Sequence, residues 1–292
     1  MARIKLIVTG DMEKLALHKS LQKCFPSRRD GVEVVWEVPH KMSGATSHKL
    51  DANEDPSKPM RALAKALIAE ACIGKYGSPS DLVIVVDDVE LGNIGQEHVI
   101  ASHFREAVQK ELDSHKGNIT LYNEYKEQLQ TRCSYHVLKP MVESYLFGDP
   151  AALTLAGVPD GKLPQLVHIS DVEEFETNDV GWLPTCVIEN AKKVALGIPW
   201  WRHEFHPKHY LEHLSASDEF GYDETEYGKR ALIALDWTQV PENVNDFPII
   251  RSLFEDLSLW FGVANPVGAG LLHPSFYPGA TVRRSSLLLR NM

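Results

Sequence analysis

The chain has 292 residues, of which 43% are hydrophobic and 24% charged, and its formal net charge at pH 7 is −10. Its size permits a substantial core, and suits one large α/β domain or one domain with an appendage. The acidic charge argues against non-specific coating of nucleic acid but does not exclude a nucleic-acid substrate. The sequence shows no bilayer-length apolar run and no signal-peptide pattern after Met1, so we expect a cytoplasmic protein without a membrane partner.

The amino-terminal part alternates strand and helix patterns. Buried-strand composition is found in three hydrophobic runs: Ile4 to Val8, Val32 to Val38 and Leu82 to Val86. Helical spacing of apolar residues is found in three further segments: residues 12–25, Met60 to Lys75 and Glu97 to Ser114. A last strand is predicted from Asn118 to Tyr122. This order predicts an open, mostly parallel sheet with helices on both faces, in which a ligand binds beyond the carboxyl ends of the strands.

Acidic residues follow two of these strands. In the stretch DLVIVVDDVELGN, residues 81–93, five apolar residues are followed directly by Asp87, Asp88 and Glu90. Asp11 and Glu13 follow the first strand. Burying an unpaired carboxylate is costly or forces it to take up a proton. If the two strands are neighbours, the carboxylates converge, and such groups commonly hold a hard divalent cation. The alternative is that Asp87 or Asp88 caps a helix or forms a turn.

Four segments, taken in order, resemble Toprim-like proteins: LIVTGDMEKLAL, VDDVEL, HVLKPMVESYLFGDPAAL and HPKHYLEHL. The resemblance covers residues 3 to 215 and is to the nucleases of the overcoming-lysogenization-defect family and related bacterial defence proteins. It implies a Toprim-like domain over residues 1–150. A mainly helical region over residues 151–292 would complete that domain or be appended to it.

The same resemblance implies an activity and partners. It predicts a nuclease that uses Mg²⁺ or Mn²⁺ to hydrolyse the phosphodiesters of DNA or RNA. It also implies an antiviral role in bacteria, an ATPase partner protein and a homodimer or other homo-oligomer. An intrinsic ATPase activity is disfavoured, because the sequence contains neither GxxxxGK[ST] nor GxGxxG.

The family pattern can be transferred to individual residues. The family's first turn, Val-Glu-Gly-x-x-Asp, matches residues 8–13, so Glu13 takes the second acidic position. Thr9 replaces the expected first glutamate, which keeps open a second hypothesis, a catalytically degenerate Toprim fold that serves as a binding or scaffold subunit. Asp88 and Glu90 are favoured as a facing pair, because residues two apart lie on one side of an extended chain. The predicted metal ligands are Glu13, Asp87, Asp88 and Glu90.

Two residues further along complete the predicted site. Glu143 lies in an amphipathic pattern, and a glutamate of this region lies by the active site in the resembling family. Pro207 predicts the first turn of a helix, where Lys208 and backbone N–H groups could meet a phosphate. His209 and His213 have the spacing of zinc ligands but lack the glutamate of a zinc-protease helix, so zinc is not predicted. The predicted catalytic residues are Glu13, Asp88, Glu143 and Lys208.

The sequence changes character after residue 215. Residues 215–230 are predicted to be an acidic loop, and ALIALDWTQV a strand or short helix. Residues 247–262 have the pattern of an amphipathic helix. The tail, with Arg283 and Arg284 followed by three leucines, is expected either to dock on the core or to bind a partner or a second copy.

Overall fold

A computed structural model describes residues 1–75, 77–217, 221–240, 248–268 and 287–292. Its sheet contains β1 (Ala2–Val8), β2 (Arg28–Arg29), β3 (Val32–Trp36), β4 (His40–Lys41), β5 (Leu82–Asp88) and β6 (Cys133–Leu138). The order across the sheet is β2-β3-β1-β5-β6, and β4 pairs with the end of β1. The pairing of β2 with β3 is antiparallel, and the other pairings are parallel. The predicted mixed α/β architecture with a mostly parallel sheet is confirmed.

The described α-helices are α1 (His18–Gln22), α2 (Lys58–Ile68), α3 (Glu97–Asp113), α4 (Ile119–Arg132), α5 (Pro150–Leu155), α6 (Leu183–Ala195), α7 (Pro207–Ser215), α8 (Lys229–Ala234) and α9 (Pro248–Phe261). Turns of π-helix occupy Glu13–Leu17, Ala69–Ile73 and Glu224–Gly228. Turns of 3₁₀-helix occupy Leu91–Asn93, Val142–Gly148, Val172–Glu174 and His203–Phe205. None of the helices in the described ranges combines the length and apolar character needed to cross a membrane.

Side chains of the central strands alternate between two cores, one on each face of the sheet. In β5, Leu82, Ile84 and Val86 join a core that contains residues of α5, α7, α8 and α9. Val83 and Val85 join the opposite core with α2, α3 and α4. This division follows the two-residue period of a strand. The helices after residue 150 therefore contribute mainly to one of the two cores, together with residues 12–25 and 142–147.

Three elements differ from the sequence prediction. Asn118 to Tyr122 is not a strand, because the Asn118 side chain accepts a hydrogen bond from the Leu121 amide at 3.2 Å and caps α4. The edge strand β6 was not predicted, although Cys133, Tyr135 and Val137 alternate with more polar residues. Residues 224–230 are helical rather than a loop, since the carboxylate of Asp223 caps this segment.

The end of the chain docks on the core. Leu288 and Leu289 are buried on the α2–α3 side of the sheet. The side chain of Asn291 donates to the Tyr135 carbonyl and accepts from the Tyr135 amide, so the last residues are tied to β6. This favours the docking interpretation of the leucine-rich tail. Arg283 and Arg284 lie outside the described residues.

Candidate functional site

The two acidic turns meet at one edge of the sheet because β1 and β5 are adjacent and parallel. Val8 at the end of β1 pairs with Val86 of β5. Asp88 in turn pairs with Leu138 of β6. The segments that leave all three strands therefore emerge side by side, at the carboxyl edge where open α/β sheets bind ligands.

A cavity of about 260 Å³ lies at this edge. It is lined by Thr9, Gly10, Glu13, Gly44, Ser47, Asp88, Glu90, Met141, Val142, Glu143, His206, Lys208, His209 and Glu224. Glu13, Asp88, Glu90, Glu143 and Lys208, which the sequence analysis singled out, are thus brought together. They come from segments that are far apart in the chain.

Asp87 and Asp88 point in opposite directions, as successive residues of a strand must. The side chain of Asp88 lies on the same face of the sheet as that of Val86, and it lines the cavity. Asp87 is buried on the other side, where its carboxylate accepts hydrogen bonds from the Thr9 hydroxyl at 2.7 Å and the Ala45 amide at 3.2 Å. Of the four predicted metal ligands, Asp87 is therefore the one that does not line the cavity.

The first turn gives the cavity no second carboxylate from position 9 or position 11. The hydroxyl of Thr9 is engaged by Asp87, and this contact ties the end of β1 to the end of β5. Asp11 is part of an ion pair with Lys41 and is absent from the cavity lining. Glu13 is the acidic group that this turn contributes, and its carboxylate lies so close to Gly10 that a side chain at position 10 would collide with it.

Glu90 and Glu143 reach the cavity from the turns after β5 and β6. The backbone of Glu90 has φ 63°, a left-handed conformation that is unusual for a residue other than glycine. Its amide donates to the Pro140 carbonyl at 2.8 Å, which joins these two turns. Glu143 lies in the first turn of the 3₁₀ segment Val142–Gly148 and is buried. Its carboxylate accepts a hydrogen bond from the Tyr222 hydroxyl at 3.4 Å.

Burial raises the pKa of each of the cavity's carboxylates, and the nearness of the others raises it further. Desolvation is the main cause and like charges add to it, so the pKa of Glu13 is about 7, that of Glu90 about 7 and that of Glu143 about 8. Burial likewise raises the pKa of Asp88 well above its ordinary value. Oδ1 of Asp88 is buried without a hydrogen-bond partner. The cavity is therefore short of positive charge and of hydrogen-bond donors.

Two side chains that the sequence analysis did not select complete this group. Glu224 forms an ion pair with Lys208 at the cavity wall. Tyr222 is buried and reaches Glu143 from the same segment. The acidic composition of residues 215–230 was visible in the sequence, but the long separation from β5 gave no sign that Glu224 would meet Asp88.

The histidines of the 203–213 segment pack together beside the cavity. Nδ1 of His209 lies 3.1 Å from Nδ1 of His203, and the His206 and His209 rings stack with centroids 3.7 Å apart. Burial lowers the pKa of His206, and it lowers that of His209 to about 4. These rings are neutral at pH 7 and do not offset the carboxylates. Within the described ranges, no group of three or more His, Cys, Asp or Glu side chains is arranged to hold a metal ion as it stands.

No protein-family model, curated protein or solved structure matches this chain.

Proposed function

We propose that this protein is a divalent-cation-dependent nuclease whose active site is the acidic cavity. The observation that carries the proposal is the gathering of five carboxylates and one lysine around one cavity at the carboxyl edge of the sheet. The resemblance to Toprim nucleases supports the same activity. The proposed antiviral role, the ATPase partner and the homo-oligomer depend on that resemblance alone.

The residues of the cavity fit a hard divalent cation. The donors are carboxylate oxygens, which Mg²⁺ and Mn²⁺ prefer, and Oδ1 of Asp88 is buried without a partner. Glu13, Asp88 and Glu90 would hold the ion, with Glu143 beside them. When bound, such an ion neutralises phosphate charge and activates water. Side-chain movements would be needed to gather the oxygens around one ion, since no group of three or more such side chains in the described ranges is arranged to hold one as it stands.

The other side chains would act on the substrate directly. The ammonium group of Lys208, near the start of α7, would contact a phosphate oxygen. The backbone at this helix start offers little to an anion, because Pro207 has no N–H and the His209 amide donates to the His206 side chain. Glu143 has a pKa of about 8, because burial and the charges of Glu13 and Glu224 raise it. A group with this pKa can exchange a proton near neutral pH, as a general acid or base requires.

A degenerate binding or scaffold subunit is the second candidate function. It is favoured by Thr9, which stands where the resembling nucleases have a glutamate and whose hydroxyl is bonded to Asp87. A cavity that has lost one acidic group could bind a cation or nucleic acid without cleaving it. The two candidates differ in whether metal-dependent cleavage is observed.

The test is a cleavage assay on single-stranded DNA, duplex DNA and structured RNA with Mg²⁺, Mn²⁺ or chelator. The wild type should cleave at least one substrate only with metal, and Asp88→Asn should reduce the rate at least about 100-fold. Asp81→Asn is the matched control, because Asp81 lies at the opposite end of β5, where it accepts a hydrogen bond from the Arg3 amide. Nucleic-acid binding without cleavage would favour the scaffold, and cleavage that survives Asp88→Asn would contradict the proposed site.

A further inference from the structure

Glu224 and Lys208 form an ion pair at the wall of the cavity. We propose that Glu224 is a positioning residue that holds the Lys208 ammonium group toward the substrate phosphate and away from the metal-binding carboxylates. This inference rests on the proposed nuclease function and adds a residue and a role to it. Neither Glu224 nor its role follows from the resemblance to the Toprim family.

Lys208 is surrounded by competing acidic partners. The residues that line the cavity in the described ranges include five carboxylates and one amine, that of Lys208. The positive charge of Lys208 lowers the pKa of both Glu90 and Glu143, although burial raises it more, so the amine lies within electrostatic reach of both. An ammonium group that moved onto these carboxylates would occupy the oxygens that the cation needs.

The Glu224 side chain is placed by a well-anchored segment. Oδ1 of Asp223 accepts hydrogen bonds from the amides of Thr225 and Glu226, each at 2.9 Å, and so caps the turn in which Glu224 lies. On the other side of Asp223, Tyr222 is buried and donates to Glu143. Glu224 is thus presented to the cavity by contacts on both of its flanks.

The ion pair is also partly shielded from solvent. The side chains of Lys208 and Glu224 are 33% and 27% exposed, against 59% for each partner in the neighbouring Arg230–Glu226 pair. A partly shielded pair is screened less than an exposed one and can hold its geometry. The Arg230–Glu226 pair therefore offers a control in the same segment, one that does not line the cavity.

The experiment is a double-mutant cycle that measures Mn²⁺ affinity, without substrate, for the wild type, Glu224→Gln, Lys208→Gln and the double variant. We expect Glu224→Gln to weaken Mn²⁺ binding about tenfold, since contacts that orient functional groups are typically worth ten- to hundredfold. In the Lys208→Gln background the same change should have little effect, because no ammonium group remains to compete. Glu226→Gln should match the wild type.

Turnover of a DNA oligonucleotide with saturating Mn²⁺ gives the second readout. Glu224→Gln should lower kcat about tenfold without raising KM, since it misplaces Lys208 but removes no positive charge from the site. Equal effects of Glu224→Gln in both backgrounds, for Mn²⁺ affinity or for kcat, would overturn the inference while leaving the nuclease intact. A wild type that neither binds Mn²⁺ nor cleaves would instead defeat the proposed function, and this inference with it.

Discussion

Two buried polar clusters lie on the same face of the sheet, and they differ in how their charges are balanced. The first is the acidic cavity, where several carboxylates share one lysine. The second lies between β6 and α9, where Asp256 is hydrogen-bonded to Arg290 at 2.9 Å and lies 3.5 Å from His136. Burial alone would raise the pKa of Asp256, but His136 and Arg290 lower it below its ordinary value.

The difference is the one expected between a structural cluster and a binding site. In the α9 cluster each charge has a partner, and the network ties the end of the chain and α9 to β6. In the cavity, burial and mutual repulsion raise the pKa of each of Glu13, Asp88, Glu90 and Glu143. An arrangement that costs stability in this way is typical of a site that binds something from outside.

The largest effect on stability is expected in the balanced cluster. Asp256→Asn should lower the free energy of unfolding by about 2 kcal/mol, because it removes the buried carboxylate that pairs with the partly exposed Arg290. Urea denaturation would measure this, with Asp55→Asn as control, because the Asp55 side chain is 87% exposed. Below its melting temperature the variant should keep the metal affinity of the wild type. A loss under about 1 kcal/mol would show that this network contributes little to the stability of the fold.

The pH dependence of stability should expose the unbalanced cluster. Glu13, Glu90 and Glu143 have folded-state pKa values of about 7, 7 and 8, above their ordinary 4.5, so the folded protein holds protons that the unfolded chain has lost. Stability in chelator should therefore fall as the pH rises from 7 to 8, with a slope of about 1.4 kcal/mol per pH unit for each proton that only the folded protein still holds, and should level off at higher pH. The pKa values of His206 and His209 are lowered, so these residues make stability rise with pH, but only below about pH 6.5.

Denaturation of the wild type and Glu143→Gln across this pH range tests that slope. The variant lacks the carboxylate with the pKa of about 8 and should show a flatter dependence. Glu226→Gln, at an exposed position, should follow the wild type. A wild-type stability that is constant or rises between pH 7 and 8 would contradict the raised pKa values assigned to the carboxylates of the cavity.

A smaller effect is expected when one carboxylate of the cavity is neutralised. Asp88→Asn should raise the free energy of unfolding in chelator at pH 8, because burial and then the charges of neighbouring carboxylates raise the pKa of Asp88 well above its ordinary value. Thermal and urea melts of both proteins would measure the change. A destabilised variant would indicate that Asp88 is a turn or capping residue rather than a repelled charge.

The sequence predicted local features better than long-range ones. The acidic turn after β5 and the apolar period of α9 depend on neighbouring residues, and the structure contains both elements. The strand predicted from Asn118 failed because β-branched and aromatic residues there belong to a capped helix. The edge strand β6 was missed because Ser134 and His136 interrupt its apolar run, and the polar partner of His136 lies on α9.

The candidate site shows the same limit. Adjacent strands could be expected to bring Glu13 near Asp88, and strand alternation favoured Asp88 over Asp87 as the cavity-facing residue. No local pattern connects Glu224 with Lys208, because their contact depends on how α7 and the segment before α8 pack on the sheet. Such contacts arise from tertiary packing and require the structure.

The most direct test of the central claim, that the cavity holds a divalent cation, is calorimetric titration of Mn²⁺ at pH 8. The wild type should bind Mn²⁺, and Asp88→Asn should weaken that binding at least about tenfold, because it removes a charged oxygen ligand. Asp87→Asn should weaken it much less, because the Asp87 carboxylate does not line the cavity and acts on Glu13 and Glu90 only through its charge. No binding by the wild type, or equal binding by wild type and Asp88→Asn, would contradict the account.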